Sequence, residues 1–147
     1  VFFFFLPFAP ALAPPAPPPG GRPHRAPPPP RPAGVVTMTS HTRPQLIQSL
    51  GSRIAEIGRL PLLGSIEYAV GADTAHVPRS NSAQRLRALD GTLTVPPALA
   101  ATLRDADGPV LLVDDLTDSG WTLAVAARML RRAGATGVLP LVLAVQG

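Results

Sequence analysis

Residues 109–147 constrain the fold more than any other part of the chain. The run PVLLV is almost purely apolar and ends on two adjacent aspartates, Asp114 and Asp115. A small-residue loop, TDSGWT, follows; then a helical pattern, WTLAVAARMLRRAG, leads into a second apolar run, GVLPLVLAV. An apolar run of strand length without polar alternation is what a strand covered on both faces requires, as in parallel sheets flanked by helices. Strand, loop, helix and strand within about 35 residues make a βαβ unit, whose strands are parallel and whose crossover is right-handed. Leu123, Ala126, Ala127, Leu130 and Ala133 fall on one helix face. Arg128, Arg131 and Arg132 lie off that face, toward the end where the helix dipole favours cations. Gly134 is placed to stop the helix. Pro140 removes one ladder donor, which puts the last strand at or near an edge.

The upstream residues continue the alternation. GVVTM, 34–38, reads as a strand, and SHTRPQLIQSLGSRIAEIG as a helix with Leu46, Leu50, Ile54 and Ile57 on one face. Thr42 and Gln45 have capping-box spacing, and Gly58 is a C-terminal stop signal. LPLLGSIEY reads as a buried strand running into a loop at Gly64. Residues 69–80 carry no period and read as a loop. Ser80, Asn81 or Ser82 is placed to cap a short helix, SAQRLRAL, that Gly91 ends. VPPALAATLRDADG reads as a further helix with its prolines in the tolerated first turn. The alternation predicts an α/β fold built on a small parallel sheet.

Composition divides the chain. Residues 1–34 hold 13 of the 20 prolines, in runs such as APPAPPPG. Such a stretch cannot bury a core and is expected to be a disordered Pro-rich extension, leaving 35–147 as one domain. The opening VFFFFLPFAPALA resembles a signal-peptide apolar segment, but it lacks a basic start and is interrupted by Pro7 and Pro10. The expectation is an extension rather than a leader, with no membrane span. Without an initiator Met, the expectation is a fragment or an unusual gene model. Arg22, Arg25 and Arg31 carry most of the excess charge, so the domain is near neutral and shows no basic stripe for nucleic acid. Without cysteine, disulfides and thiolate metal sites are excluded.

The chemistry concentrates at the aspartates. Ligands of open parallel sheets bind at the carboxyl ends of strands. Two neighbouring carboxylates repel, and strand alternation points them to opposite faces, so that one can face a ligand while the other supports it. The following loop enters a helix N-terminus, whose free N–H groups and positive dipole suit a phosphate. Thr117, Asp118, Ser119, Gly120, Trp121 and Thr122 are the candidate phosphate-binding residues. Gly120 lets the backbone approach, and Ser119 and Thr122 add hydroxyls. Acceptors for sugar hydroxyls beside donors for a phosphate suit a phosphorylated ribose, with room for a divalent metal bridged through water. A capped turn is the plainer alternative. Trp121 is open to two roles, a lid or ordinary packing at a helix start. Tyr68, Asn81 and Arg85 could face the ligand, and His24, His41 and His76 read as surface residues.

The segment VLLVDDLTDSGWTL resembles the phosphoribosyltransferase signature: apolar strand, two acids, an apolar residue, a variable pair, then Thr or Ser, Gly, any residue, Thr. The resemblance implies that Asp114 and Asp115 meet the ribose hydroxyls of phosphoribosyl pyrophosphate near Mg2+, held through water. It also implies that residues 118–122 hold the 5′-phosphate. Asp118 then stands where one branch of the family has a proton-transfer group, although a local cap is the other reading. The family's pyrophosphate loop maps onto Leu63, Gly64 and Ser65. Leu63 stands where a lysine is common, with Arg59, Arg79 or Arg85 as possible compensation; this departure favours ligand binding over turnover. TRPQLIQSLGSRIAEIGRLPLLG, NSAQRLRAL and the segment from Gly108 to Ala144 are also similar to the C-terminal module of actinobacterial RecQ-type DNA helicases. That likeness implies a cytoplasmic accessory module that meets nucleic acid through a parent helicase. The chain itself has no phosphate-loop motif and no lysine, so no helicase motor.

Overall fold

The computed structural model describes residues 4–5, 30–40, 42–71, 91–117 and 120–145. Among these, the chain runs β1 (Phe4–Phe5), β2 (Gly34–Met38), α1 (Pro44–Gly58), β3 (Leu62–Tyr68), β4 (Leu93–Thr94), α2 (Pro97–Asp105), β5 (Val110–Thr117), α3 (Trp121–Ala133) and β6 (Val138–Val145). The strands form one sheet in the order β1-β6-β5-β2-β3-β4. The four central strands are parallel; the two-residue strands β1 and β4 add antiparallel margins. This is an α/β domain with a mostly parallel sheet. β6 lies one place from the margin, as Pro140 predicts.

Strand alternation sorts the core into two layers. Val35, Val113 and Leu111 face α1, packing with Ile47, Ile54 and Ala55. Val36, Met38, Ile66, Val110 and Leu112 face the other way, against Leu99 and Leu103 of α2 and Leu123, Ala126 and Leu130 of α3. Covering on both sides is why β5 is apolar at consecutive positions.

α1 departs from the expected face. Its buried residues are Ile47, Gly51 and Ala55, whereas Leu46 and Ile57 are exposed. Gly51 lies directly on Thr37 of β2 and so centres the contact. Its N-terminus is not a Thr42–Gln45 capping box: the cap position is Arg43, and no side chain caps it. Ser40 Oγ accepts the Arg43 N–H at 3.0 Å instead. The left-handed stop falls on Arg59, one residue after Gly58.

The packed domain begins before residue 35. Gly34 is already in β2, the Ala33 N–H donates to the Pro109 carbonyl at 2.7 Å, and Arg31 Nη2 donates to the Gly58 carbonyl at 3.1 Å. That places a cation on the carbonyl end of α1, where the dipole favours it. Arg31→Ala is expected to lower stability by about 0.5–1 kcal/mol in urea unfolding, with an unchanged m-value. Most of the Pro-rich stretch, the 72–90 segment with its expected short helix, and His24, His41 and His76 lie outside the described residues.

Candidate functional site

β2 lies between β3 and β5 but stops at Met38, while β3 runs on to Tyr68 and β5 to Thr117. The last β2–β5 pair is Thr37 with Val113. Beyond it, Asp114, Leu116 and Thr117 pair only with β6, opposite Val142, Ala144 and Val145. The aspartates therefore sit inside β5 rather than just after the strand: Asp114 is level with Met38, the last residue of β2, and Asp115 begins the part that overhangs β2. The chain leaves β2 toward β3 and β4 and returns on the other side as β5 and β6. The carboxyl ends of β2 and β5 thus form the switch point at which such sheets take ligands.

Alternation sends the two carboxylates to opposite faces. Asp115 shares the α1 side with Val113. Its Oδ2 lies 3.5 Å from Arg43 Nη1, the aspartate side chain 11% exposed and the arginine 56%. A pair this long and open to water contributes at most about 1 kcal/mol, but it holds a cation at the mouth. Ser40 and Thr42 stand beside it, with their hydroxyl oxygens 3.5 Å apart. Asp114 shares the α2–α3 side with Leu112, and its Oδ1 accepts the Asp115 N–H at 2.9 Å. Burial pushes the Asp114 carboxyl from 3.8 up to about 6; the charge of Asp115 adds to the rise, and N–H donors from Asp115 and Leu116 oppose it. Tyr68 is held above its ordinary value of 10.0, first by burial and then by the charges of Asp114 and Asp115.

The helix start completes the site. Gly120 has φ 73°, a left-handed conformation that glycine adopts without strain, and it opens the 13-residue helix α3. Its N–H donates to Thr117 Oγ1 at 3.2 Å. Among the described residues, its chain neighbours aside, no atom lies within 4 Å of where a Gly120 Cβ would be. The N–H groups of the first turn have no carbonyl four residues behind them in the helix, which suits an anion. Trp121 is partly buried and packs against the α2–α3 core, as its packing reading requires. Thr122 is half-buried in the same turn. Asp118 and Ser119 lie outside the described residues.

The expected loop at Leu63, Gly64 and Ser65 is not a loop. All three lie within β3. Val35 pairs with Leu62 and Val36 with Gly64, so Leu63 is the extra residue of a bulge. Gly64, at φ 144°, supplies the backbone freedom that the bulge needs. The Leu63 side chain fills the space over Gly34. Of the arginines considered, Arg59 caps the far end of α1, and Arg79 and Arg85 lie outside the described residues. The cation at the mouth is Arg43, which sequence spacing could not reveal because it is 72 residues from Asp115.

Among the described residues no three His, Cys, Asp or Glu side chains gather into a metal site. Mg2+ keeps most of its waters and binds through one or two carboxylates together with ligand phosphates. Asp114 and Asp115 face opposite sides of β5, so one of them could meet a hydrated ion through water, and the pair does not form a resident cage. Among the described residues no helix is long and apolar enough to cross a membrane.

No family model matches the chain, and no curated protein matches it. Among solved structures, one described as the allosteric regulatory enzyme of purine biosynthesis is similar, at 23% sequence identity and a TM-score of 0.47. The match covers 76% of this chain and 22% of that one, so the chain spans about a fifth of that neighbour's length.

Proposed function

We propose that the domain is phosphoribosyltransferase-like and binds a phosphorylated ribose of the phosphoribosyl pyrophosphate type at the carboxyl ends of β2 and β5. The observation that carries this reading is the pairing of two functions at one place. An overhanging acidic strand end offers acceptors to sugar hydroxyls, and a glycine-initiated helix start offers N–H donors to a phosphate. Asp114 would accept from a ribose hydroxyl, while Asp115 orients Arg43 toward the anionic part of the ligand. Mg2+, when bound, would neutralise phosphate charge through water held by the acids.

A bulky side chain at Gly120 would be strained and would sit over the helix end. Gly120→Val is expected to weaken ribose 5-phosphate binding at least tenfold in isothermal titration with Mg2+ present, since charge-assisted bonds to the phosphate contribute about 1.5–3 kcal/mol each. Absence of binding of any phosphate-bearing ligand by the unaltered chain would reduce the site to a capped turn.

Arg43 favours a second reading, active transfer of ribose 5-phosphate to a nucleobase. A cation beside the acids can stabilise departing pyrophosphate although Leu63 cannot. Pyrophosphate release with a panel of bases tests this, and Arg43→Ala should remove it. The membership of a RecQ-type helicase rests only on the likeness of residues 35–147 to that module; a helicase core encoded in frame upstream would support it. A cytoplasmic setting and contact with nucleic acid follow only from that parentage.

A further inference from the structure

Thr117 stands among the residues expected to hold the phosphate, but its place in the fold gives it a different task. It closes β5 and is one of two buried polar side chains among the described residues, at 7% exposed. Its Oγ1 accepts the Gly120 N–H at 3.2 Å. The Gly120 carbonyl in turn accepts the Ala124 N–H at 3.0 Å, the first rung of the α3 ladder. Gly120 is thus gripped from both sides, by the strand end through its N–H and by the helix through its carbonyl. The N–H groups of Trp121, Thr122 and Leu123 come before that ladder and are the ones that suit an anion. A hydroxyl this buried, and already bonded, is poorly placed to meet a phosphate itself.

The face on which Thr117 lies decides what the bond does. Val113 belongs with the α1 layer, and Asp115 and Thr117 follow it at intervals of two on that side. β5 still pairs with β6 at Thr117, opposite Val145, so the alternation holds to the end of the strand. α3 packs on the other layer, with Val110 and Leu112. The bond from Gly120 to Thr117 therefore ties a helix on one side of the sheet to a side chain on the other. It draws the helix start toward the side where Asp115 meets Arg43.

We infer that Thr117 is a positioning residue: its hydroxyl fixes the start of α3 on the Asp115 side of β5, so that the helix N–H groups and Arg43 act on one phosphorylated ligand. The inference rests on the site reading above. Without that acceptor the helix start relaxes toward its own layer, and the two positive elements no longer converge.

Thr117→Val keeps the shape and removes the acceptor, whereas Thr117→Ser keeps the hydroxyl. Isothermal titration of the full chain with ribose 5-phosphate and Mg2+ should show about a fivefold loss for Thr117→Val, the equivalent of one neutral hydrogen bond. Thr117→Ser should stay within about twofold. Arg43→Ala should cost about tenfold in the unaltered chain and about threefold or less in the Thr117→Val background, because coupled residues are not additive. Full affinity in Thr117→Val overturns the assignment, and so do equal losses in the Val and Ser variants, which would trace the effect to packing. Additive losses with Arg43→Ala overturn the convergence of the two elements. Amide exchange of the unaltered chain supplies a check should Thr117→Val not fold: the Gly120 N–H should be protected, and exchange as fast as in an unstructured glycine removes the bond on which the inference stands. In all these outcomes the unaltered chain binds. Its failure to bind ribose 5-phosphate would instead remove the site reading together with the inference.

Discussion

Replacing Asp114 by Asn is expected to make the unliganded protein more stable above pH 6 while weakening the proposed binding of a phosphosugar. Burial has raised the folded-state value of this carboxyl from 3.8 to about 6. The folded state therefore retains its proton more tightly than the unfolded chain does. The resulting stabilisation is complete below about pH 4, declines as the pH rises, and is gone above about 6. A rise of this size corresponds to about 3 kcal/mol over that window. Asparagine keeps the oxygen that accepts the Asp115 N–H and has nothing to ionise. Urea unfolding at pH 4 should separate the two proteins little, and at pH 8 the variant should be ahead by about 2–3 kcal/mol. A parallel pH profile for both proteins would show that Asp114 is solvated in the fold. A group that destabilises its own fold when charged, and lies where ligands of parallel sheets bind, is the combination expected of a functional residue.

Gly51→Ala is expected to be destabilising, against the direction that helix propensity gives. In an exposed helix interior the change stabilises by about 1 kcal/mol. Here the added Cβ would stand 2.3 Å from Thr37 Cγ2. Thr37 is buried in β2 and β-branched, so it has little freedom to turn aside. The helix must lift from the sheet, at about 1–3 kcal/mol. Lifting it also carries Arg43 away from Asp115. Thr37→Ser removes the offending methyl, and in that background Gly51→Ala should be close to neutral. Thermal unfolding of the four proteins checks this; additive losses without rescue would rule out the contact as the cause.

Gly51 also marks where local sequence patterns stop being informative. β5, α3 and β6 follow from patterns that are local: a run of apolar residues, a helical face around Leu123 and Leu130, a glycine at position 134. The face of α1 does not follow from its apolar period, because Gly51 contributes no hydrophobicity and yet makes the closest approach to the sheet. Gly64 reads as a turn because glycine is usually a chain breaker, whereas here it serves a bulge inside β3. β4 is too short, at two residues, to show a period. The acids are legible by type and by their place near a strand end, but their position within β5 depends on how far β6 continues beside them. Tyr68 is a candidate in the sequence; Arg43 is not, because strand order brings it to Asp115, and strand order is not a local property of the sequence.

The shortness of β2 has a consequence for how this protein can be altered. The step beyond Met38 exists because β2 stops there while β3 runs on to Tyr68 and β5 to Thr117. Point substitutions around its rim would retune which guest is preferred without closing it. Two extra residues in extended form after Met38 would fill that step while Asp114 and Asp115 stay in β5, so that occupancy changes with neither acid replaced.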